Sequence, residues 1–104
     1  MWIRLGSFAV KPGQSEALRA TYNQQAMPKV RACAGNLAVL LLEPVAAGEP
    51  FVAMTIWDSR AAGERYDASG AAAEVVALVR DFFAGPPTLR AYESASAGGL
   101  PAAG

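Results

Sequence analysis

Residues 51–60 read FVAMTIWDSR, an alternating apolar run that leads into two residues able to cap a helix. Because successive side chains of a strand point to opposite faces, the odd-numbered residues from 51 to 57 share one face and the even-numbered residues share the other. Both sets are mainly apolar, which predicts a β-strand covered on each side. Asp58 and Ser59 are good N-cap residues, so we expect a helix over 60–67 directly after this strand.

A second apolar strand is predicted immediately before it. Residues 36–43 contain a run of valine and leucine between Gly35 and the connector 44–50, which holds two prolines and a glycine. A short apolar run between turn residues is typical of a strand that is buried on both faces. We therefore expect residues 36–43 and 51–57 to pair as a hairpin.

The N-terminal part of the chain predicts a strand followed by an interrupted helix. Residues 1–10 are rich in β-forming side chains, and the Pro-Gly sequence at 12–13 ends this strand. Ser15 can cap a helix in which apolar residues recur every four positions on one face. These residues are Leu18, Tyr22, Ala26 and Val30. Pro28 lacks an amide hydrogen, so we expect two helical pieces, the second at 28–34.

A further helix and a last strand are predicted near the C-terminus. Residues 71–83 carry a wide apolar stripe at helical spacing, and the Gly-Pro-Pro sequence at 85–87 stops that helix. Residues 88–93 then have the composition of a strand. The tail 95–104 consists of small, uncharged side chains. We expect this tail to be flexible and residues 1–94 to form a single domain.

The predicted order is strand, helix, strand, strand, helix, strand. This is the order of an α+β, ferredoxin-like split βαββαβ fold, in which a four-stranded antiparallel sheet carries its helices on one face. Because the strands are apolar on both sides, a single chain would leave one apolar sheet face in water. We expect a homodimer to cover it, with the two sheet faces packed together as in a dimeric α+β barrel.

The composition excludes several classes of function. The 104 residues include nine Lys or Arg and nine Asp or Glu, with no basic block for nucleic acid. The chain has no His and one Cys, Cys33, which rules out Ser-His-Asp and Cys-His catalysis, His-ligated metals and an internal disulfide. No apolar run reaches the roughly 18 residues of a membrane helix. We expect a cytoplasmic protein, with which a single reduced Cys33 is compatible. We expect no metal or cofactor, since no dinucleotide-binding motif or cluster of metal ligands is present.

Three short motifs carry a family resemblance. They are FAVKPG at 8–13, VRACAGN at 30–36 and, above all, TIWDS at 55–59, which an aromatic residue, Tyr66, follows in the next predicted helix. In these motifs the chain resembles the antibiotic biosynthesis monooxygenase family, within the dimeric α+β barrel superfamily, over roughly residues 2–93. The resemblance implies an enzyme that oxygenates an aromatic or quinol-type metabolite without metal or flavin. Other members of that family degrade haem or isomerise small signalling molecules.

The haem-degrading branch can be compared residue by residue. As the resemblance implies, the active site of that branch contains an Asn on the first strand, a Trp on the second helix and an axial His. The corresponding residues here are Gly6, Tyr66 and Val76. None of the three matches, and the chain has no His at all. Haem degradation by that route is therefore disfavoured. We expect instead a dry apolar pocket in which the substrate itself reduces dioxygen.

Four residues are candidates for a substrate pocket: Arg4, Tyr22, Trp57 and Tyr66. The Trp57 indole could hold a substrate oxygen or simply pack, and Tyr66 could donate a hydrogen bond to the substrate. Tyr22 lies on the inner stripe of the first helix, where packing is the simpler role. Arg4 shares a strand face with Phe8, and we expect this face to turn outward. An inward Arg4 would need a charged partner or an anionic ligand.

The leading interpretation is a cofactor-independent, monooxygenase-like enzyme whose catalytic residues and substrate the sequence leaves unassigned. The main alternative is a non-catalytic small-molecule-binding or accessory dimer, because the chain has no His to act as a general base at neutral pH. A small-metabolite isomerase on the same scaffold is the third interpretation. In each case we expect the partners to be a small molecule and a second copy of the chain, with no nucleic acid and no membrane.

Overall fold

The computed structural model describes residues 1–99, within which strands and helices follow the predicted order. The strands are β1 (Trp2–Phe8), β2 (Asn36–Leu42), β3 (Phe51–Trp57) and β4 (Thr88–Glu93). The helices are α1 (Ser15–Thr21), α2 (Met27–Arg31), α3 (Arg60–Ala68) and α4 (Ala71–Val79). A π-helical turn (Tyr22–Ala26) joins α1 to α2, and a 3-10 turn (Arg80–Phe82) follows α4.

The sheet has the strand order β2-β3-β1-β4, and all neighbouring strands are antiparallel. This arrangement confirms the predicted α+β, ferredoxin-like fold. The central strand β1 pairs with β3 from Trp2 to Phe8 and with β4 from Trp2 to Ser7, without a break in either register. Because both neighbours hold β1 along its length, the direction of each β1 side chain is fixed.

One face of the sheet packs against the helices and forms the core. The predicted stripe on the first helix is confirmed, since none of its four residues is more than 2% exposed: Leu18, Tyr22, Ala26 and Val30. On β3 the same core face holds Phe51, Thr55 and Trp57, all of them buried. The alternation read from residues 51–57 therefore describes the strand correctly.

The helix around Pro28 is continuous, which corrects the prediction of a break there. The helical path runs from residue 15 to residue 31, and the wider π turn at Tyr22–Ala26 precedes the proline. Since Pro28 has no amide hydrogen to donate, a widened turn just before it lets the helix proceed. The expected cap is also different, because the N-cap residue is Gln14 rather than Ser15 and makes no side-chain hydrogen bond.

The second helical region agrees more closely with the sequence. The Ser59 hydroxyl accepts a hydrogen bond from the Ala62 amide at 3.2 Å, as expected for an N-cap. Gly70 separates α3 from α4 with φ at 88°, a left-handed conformation that glycine adopts without steric cost. The predicted helix over 71–83 is confirmed up to Val79 and continues as the 3-10 turn.

The other face of the sheet, which we call the outer face, is mainly apolar and lies outside the core cluster of residues 1–99. The strand registers place on it three polar residues, Ser7, Thr88 and Arg90, and these apolar or aromatic ones: Ile3, Leu5, Ala38, Leu40, Leu42, Val52, Met54, Ile56 and Tyr92. Leu40 is 39% exposed and Leu42 is 38% exposed. The prediction that residues 36–43 are buried on both faces is therefore wrong for the single chain, because no helix covers this side of β2.

The end of the last strand returns to the start of the first. The Ser94 amide donates a hydrogen bond to the Met1 carbonyl at 3.0 Å. The domain boundary expected after residue 94 stays a prediction. Part of the predicted flexible tail, residues 100–104, lies outside the described residues.

Gly63→Ala tests the contact between α3 and the core face of β1. A methyl group at residue 63 would overlap the indole ring of Trp2, which is buried. We expect this variant to lose roughly 1–3 kcal/mol of unfolding free energy, although alanine is the better helix former. Urea unfolding measures the change.

Gly85→Ala is the matched control, because a methyl group there meets no atom within 4 Å. It should be as stable as the wild-type protein or slightly more stable. Equal unfolding free energies for the two alanine variants would contradict the proposed packing of Trp2 on α3.

Candidate functional site

A cleft lies between the core face of the sheet and α4, with a cavity volume of about 60 Å³. Its floor comes from the strands: Arg4, Gly6, Phe8, Ala53, Thr55 and Leu89. Its walls come from the helices and the segment before β4: Tyr22, Tyr66, Val75, Val76, Val79, Phe83 and Pro87. Three of the four residues predicted for a pocket, Arg4, Tyr22 and Tyr66, therefore meet here, although a role in substrate binding stays a prediction for each.

Gly6 creates space in the middle of the cleft floor. It lies on the core face of β1 between Arg4 and Phe8, in regular register with Ala53 and Leu89. A Cβ atom at residue 6 would come within 3.4 Å of Leu89 Cδ2, which is ordinary contact. The missing side chain therefore leaves room above the sheet, in a strand that has no bulge at this position.

Arg4 points into the cleft, which corrects the expectation that its face turns outward. The side chain is 17% exposed, and Nη2 lies 2.9 Å from Asp67 Oδ1 at the end of α3. The Arg4 guanidinium carbon is also 5.8 Å from the centroid of the Tyr66 ring. The reason is the alternation of β1, because the large rings of Trp2 and Phe8 enter the core and Arg4 shares their face.

Tyr22 and Tyr66 line the cleft and carry unpaired hydroxyl groups. The residues are 2% and 4% exposed, and neither hydroxyl forms a hydrogen bond within residues 1–99. In the same residues no fully buried side-chain oxygen or nitrogen lacks a partner. Neither hydroxyl oxygen is therefore fully buried. Tyr22 lines the cleft, and Tyr66 lines both the cleft and a second hollow that Cys33 and Ala34 also line, so both side chains are available as hydrogen-bond donors.

Burial keeps both phenols protonated. It raises the pKa of Tyr22 from 10.0 to about 12. Burial also raises the pKa of Tyr66, against the opposing effect of the nearby Arg4 charge. At neutral pH the two side chains are therefore hydrogen-bond donors and are poor general bases.

Trp57 lies behind the cleft and is absent from its lining. The residue is fully buried, and its indole Nε1 donates a hydrogen bond to Thr55 Oγ1 at 2.9 Å. Its ring packs against Tyr66 with the two centroids 4.9 Å apart. The indole donor that sequence analysis offered to a substrate is thus used within the protein, where it positions Thr55 and Tyr66.

Thr55 is the one polar lining residue within 1–99 that was not among the sequence candidates. It is 6% exposed, and its hydroxyl oxygen accepts the Trp57 hydrogen bond, so its own proton is free to be donated. The alternation of residues 51–57 did contain this signal, because it placed Thr55 on the same strand face as Trp57. A threonine in a strand is common, however, and nothing local marks it as part of a site.

The remaining walls are apolar. The rings of Phe8 and Phe83 stack with their centroids 4.2 Å apart, and Val75 and Val79 face them from α4. Arg4 is the single charged residue in the lining formed by residues 1–99. The cleft can therefore hold a small apolar or aromatic body while a few donors contact its polar atoms.

Residues 1–99 contain neither a metal-binding cluster nor a membrane-spanning helix. No group of three or more Cys, Asp or Glu side chains is arranged to hold a metal ion. No helix in this part of the chain has the length and apolar character needed to cross a bilayer.

Comparison with known proteins gives a family match and a set of similar folds. The family model described as antibiotic biosynthesis monooxygenase matches residues 1–78. The heme-degrader MhuD from Mycobacterium tuberculosis, solved with two hemes in its active site, superposes with a TM-score of 0.77 at 24% identity over 95% of this chain and 100% of that chain. No curated protein sequence matches the chain.

Two further structures are similar. A protein of unknown function from Nitrosomonas europaea has a TM-score of 0.75 and 24% identity, covering 97% of this chain and 94% of that chain. A structure described as an antibiotic biosynthesis monooxygenase has a TM-score of 0.72 and 20% identity, covering 92% and 100%. At these identities the superpositions establish the fold alone.

The two buried phenols predict a loss of stability at alkaline pH. In the unfolded chain they ionise near the ordinary pKa of 10.0, whereas in the folded chain the pKa of Tyr22 is about 12 and that of Tyr66 is also raised. The stabilisation is complete below pH 10 and is lost as the pH rises through about 12, because only the unfolded state then releases the protons. The unfolding free energy should fall by up to about 1.4 kcal/mol per pH unit for each phenol.

Urea unfolding at a series of alkaline pH values measures this slope. The double variant Tyr22→Phe/Tyr66→Phe should show a flatter dependence than the wild-type protein, since phenylalanine cannot ionise. The same slope in both proteins would contradict the assignment.

Proposed function

The chain belongs to the antibiotic biosynthesis monooxygenase family, and on that premise we propose that it is a cofactor-independent, monooxygenase-like enzyme for a small aromatic or quinol-type metabolite. The observation that carries the proposal is the apolar cleft that Tyr22 and Tyr66 line, two buried residues whose hydroxyls form no hydrogen bond within residues 1–99. Such a cleft suits a ring that carries one or two oxygen atoms. The walls would exclude water, and the hydroxyls would hold the ring oxygens.

The reaction we propose needs no external reductant. When a phenol becomes a quinone, one atom of dioxygen forms the new carbonyl, the other leaves as water, and the substrate supplies all four electrons. The substrate reacts most readily as its anion, because the anion donates an electron to dioxygen more easily than the neutral phenol does. The contribution of the protein is then to orient the ring, exclude bulk water and stabilise negative charge.

Each polar residue has a place in this proposal. Tyr66 and Tyr22 would donate hydrogen bonds to the substrate oxygens, and Thr55 would supply a third donor from the floor. Trp57 would act as a positioning residue, since its indole contacts both Thr55 and the Tyr66 ring. Neither phenol would act as the base, because burial keeps both protonated at neutral pH.

Substrate entry would require the cleft to widen. Its cavity of about 60 Å³ is well below the roughly 300–1,000 Å³ of ordinary ligand pockets. Two exposed lining residues, Pro87 and Leu89, stand on the side of the edge strand β4, and Leu89 is 54% exposed. We propose that the ligand enters there, because an edge strand has one free side along which it can move.

Haem is not our proposed substrate, although MhuD, a similar fold, is a heme-degrader. The three positions that correspond to that family site, Gly6, Tyr66 and Val76, all line the cleft. Gly6 and Val76 offer no ligand atom, and the chain has no His.

The exposed outer face of the sheet is relevant to the oligomeric state of the protein. We propose that the protein is a homodimer in which two outer faces pack together, because an apolar face of this extent is costly to leave in water. The dimeric α+β barrel that the sequence resembles has this form. We also propose a cytoplasmic location, where the lone thiol of Cys33 stays reduced.

Oxygen uptake tests the proposed activity. With a panel of small dihydroquinones and phenols, and after treatment with a metal chelator, the wild-type protein should consume dioxygen faster than the same substrate does in buffer. Tyr66→Phe removes one donor and should slow this reaction by at least about tenfold. Tyr92→Phe is the matched control, because Tyr92 is on the outer face and should leave the rate unchanged.

Two outcomes would favour the other interpretations. If the protein binds a ligand but oxygen uptake is no faster than autoxidation in buffer, the interpretation as a non-catalytic binding dimer is favoured over the enzyme. Conversion of a substrate without oxygen uptake would indicate an isomerase.

Met54→Glu tests the homodimer. Met54 lies on the inner strand β3 of the outer face, so dimerisation would have to remove a carboxylate at this position from water, which is costly. Light scattering at micromolar concentration should show a dimer for the wild-type protein and a monomer for this variant.

Val45→Glu is its control, since Val45 is fully exposed in the loop between β2 and β3, and it should stay dimeric. A wild-type protein that is monomeric at this concentration would overturn the dimer.

A further inference from the structure

The cleft differs in polarity between its two ends. Arg4, Gly6 and Phe8 follow one another on the core face of β1, and residues four apart on a strand are separated by about 13 Å. At the Arg4 end the guanidinium lies over the Tyr66 ring, and at the Phe8 end the ring of Phe83 is stacked on Phe8. A bound molecule would therefore meet charge and hydrogen-bond donors at one end and aromatic carbon at the other.

Asp67 engages only part of the hydrogen-bonding capacity of the Arg4 guanidinium group. Its contacts within residues 1–99 are the single pair from Nη2 to Asp67 and the approach to the Tyr66 ring. A guanidinium has five N–H donors, so several remain for a ligand. Asp67 is 42% exposed and does not line the cleft, so it neutralises Arg4 from the solvent side.

The polar end of the cleft offers donors and no anion. The guanidinium cannot accept a hydrogen bond, and the Tyr66 and Tyr22 phenols stay protonated at neutral pH. An anionic oxygen can accept a hydrogen bond from any of these donors, and a charge-assisted bond in a dry site is stronger than a neutral one. A ligand with no charge would leave the guanidinium donors that Asp67 does not engage without a charged acceptor inside the cleft.

We propose that Arg4 determines the specificity of the cleft by selecting an aromatic ligand that carries one anionic oxygen group. That group lies against Arg4 and Tyr66, and the ring extends over Gly6 toward Phe8. The inference rests on the proposed function in that it concerns the same cleft, and it adds the charge and the orientation of the ligand. Two sources, a phenolate and an aryl carboxylate, share this chemistry.

Optical titration of bound 4-nitrophenol tests the proposal without any oxygen chemistry. The phenol and phenolate forms of this probe absorb at different wavelengths, so the pH at which the bound probe ionises can be read directly. The wild-type protein should shift this ionisation to lower pH than in buffer. Arg4→Gln should abolish the shift and weaken phenolate binding by at least about tenfold.

The matched probe is 4-nitroanisole, which has nearly the same shape and cannot ionise. Its affinity should be lower than that of the phenolate and should change little in Arg4→Gln. A second anion, 4-nitrobenzoate, distinguishes the two ligand sources. Dependence of either anion on Arg4 supports the proposal, and the anion that binds more tightly identifies the source.

Three further variants make the test specific. Arg65→Gln removes an equal charge from the exposed side of α3 and should leave binding unchanged. Arg4→Lys keeps the charge and should retain part of the phenolate affinity. Asp67→Asn removes the competing carboxylate and should tighten phenolate binding, but it should have no such effect in a protein that already carries Arg4→Gln.

The proposal would be overturned if Arg4→Gln bound both anions, the phenolate and 4-nitrobenzoate, as tightly as the wild-type protein does. It would also be overturned if the wild-type protein bound neither anion more tightly than anisole. If Arg4→Gln does not fold, the comparison of Arg4→Lys and Asp67→Asn decides, and unchanged affinity for both anions in both variants would overturn it. Failure of oxygen uptake alone would affect the proposed activity and leave the binding result intact.

Discussion

The fixed side-chain direction of β1 is the constraint on which the site depends. Both edges of this strand are paired, and Trp2 and Phe8 enter the core, so Arg4 and Gly6 must share the helix-facing side. A slip of one residue would bring the opposite set of side chains inward and turn Arg4 out. The register of β1 therefore determines both the space above Gly6 and the position of the Arg4 charge beside it.

The architecture was predictable because its signals are local. Alternation in residues 51–57, the cap at Ser59 and the four-residue spacing that includes Leu18 and Val30 each reflect a single element. The inward face of β1 was not predictable in this way. Both of its faces carry large apolar side chains in sequence, and the charge of Arg4 favours the wrong face for the core, so only the packing of α3 and α4 distinguishes them.

The lining of the cleft was predicted in part, for a similar reason, and its role in binding stays a prediction. Tyr22 and Tyr66 could be selected because an aromatic residue with a polar tip stands out on a helix. Trp57 stands out equally, yet its donor is bonded to Thr55, and a bond between two side chains of one strand face leaves no mark in the sequence. Thr55, which was not a candidate, therefore lines the cleft, whereas the candidate Trp57 lies behind it.

The central claim is that ligands bind on the helix side of the sheet. Methyl NMR spectra recorded while 4-nitrophenol is added test it most directly. The account predicts chemical-shift changes at Val75, Val79 and Leu89, which line the cleft, with unchanged signals from Ile3 and Met54 on the outer face. Changes confined to Ile3 and Met54 would mean that the ligand binds the opposite side of the sheet, and they would contradict the account.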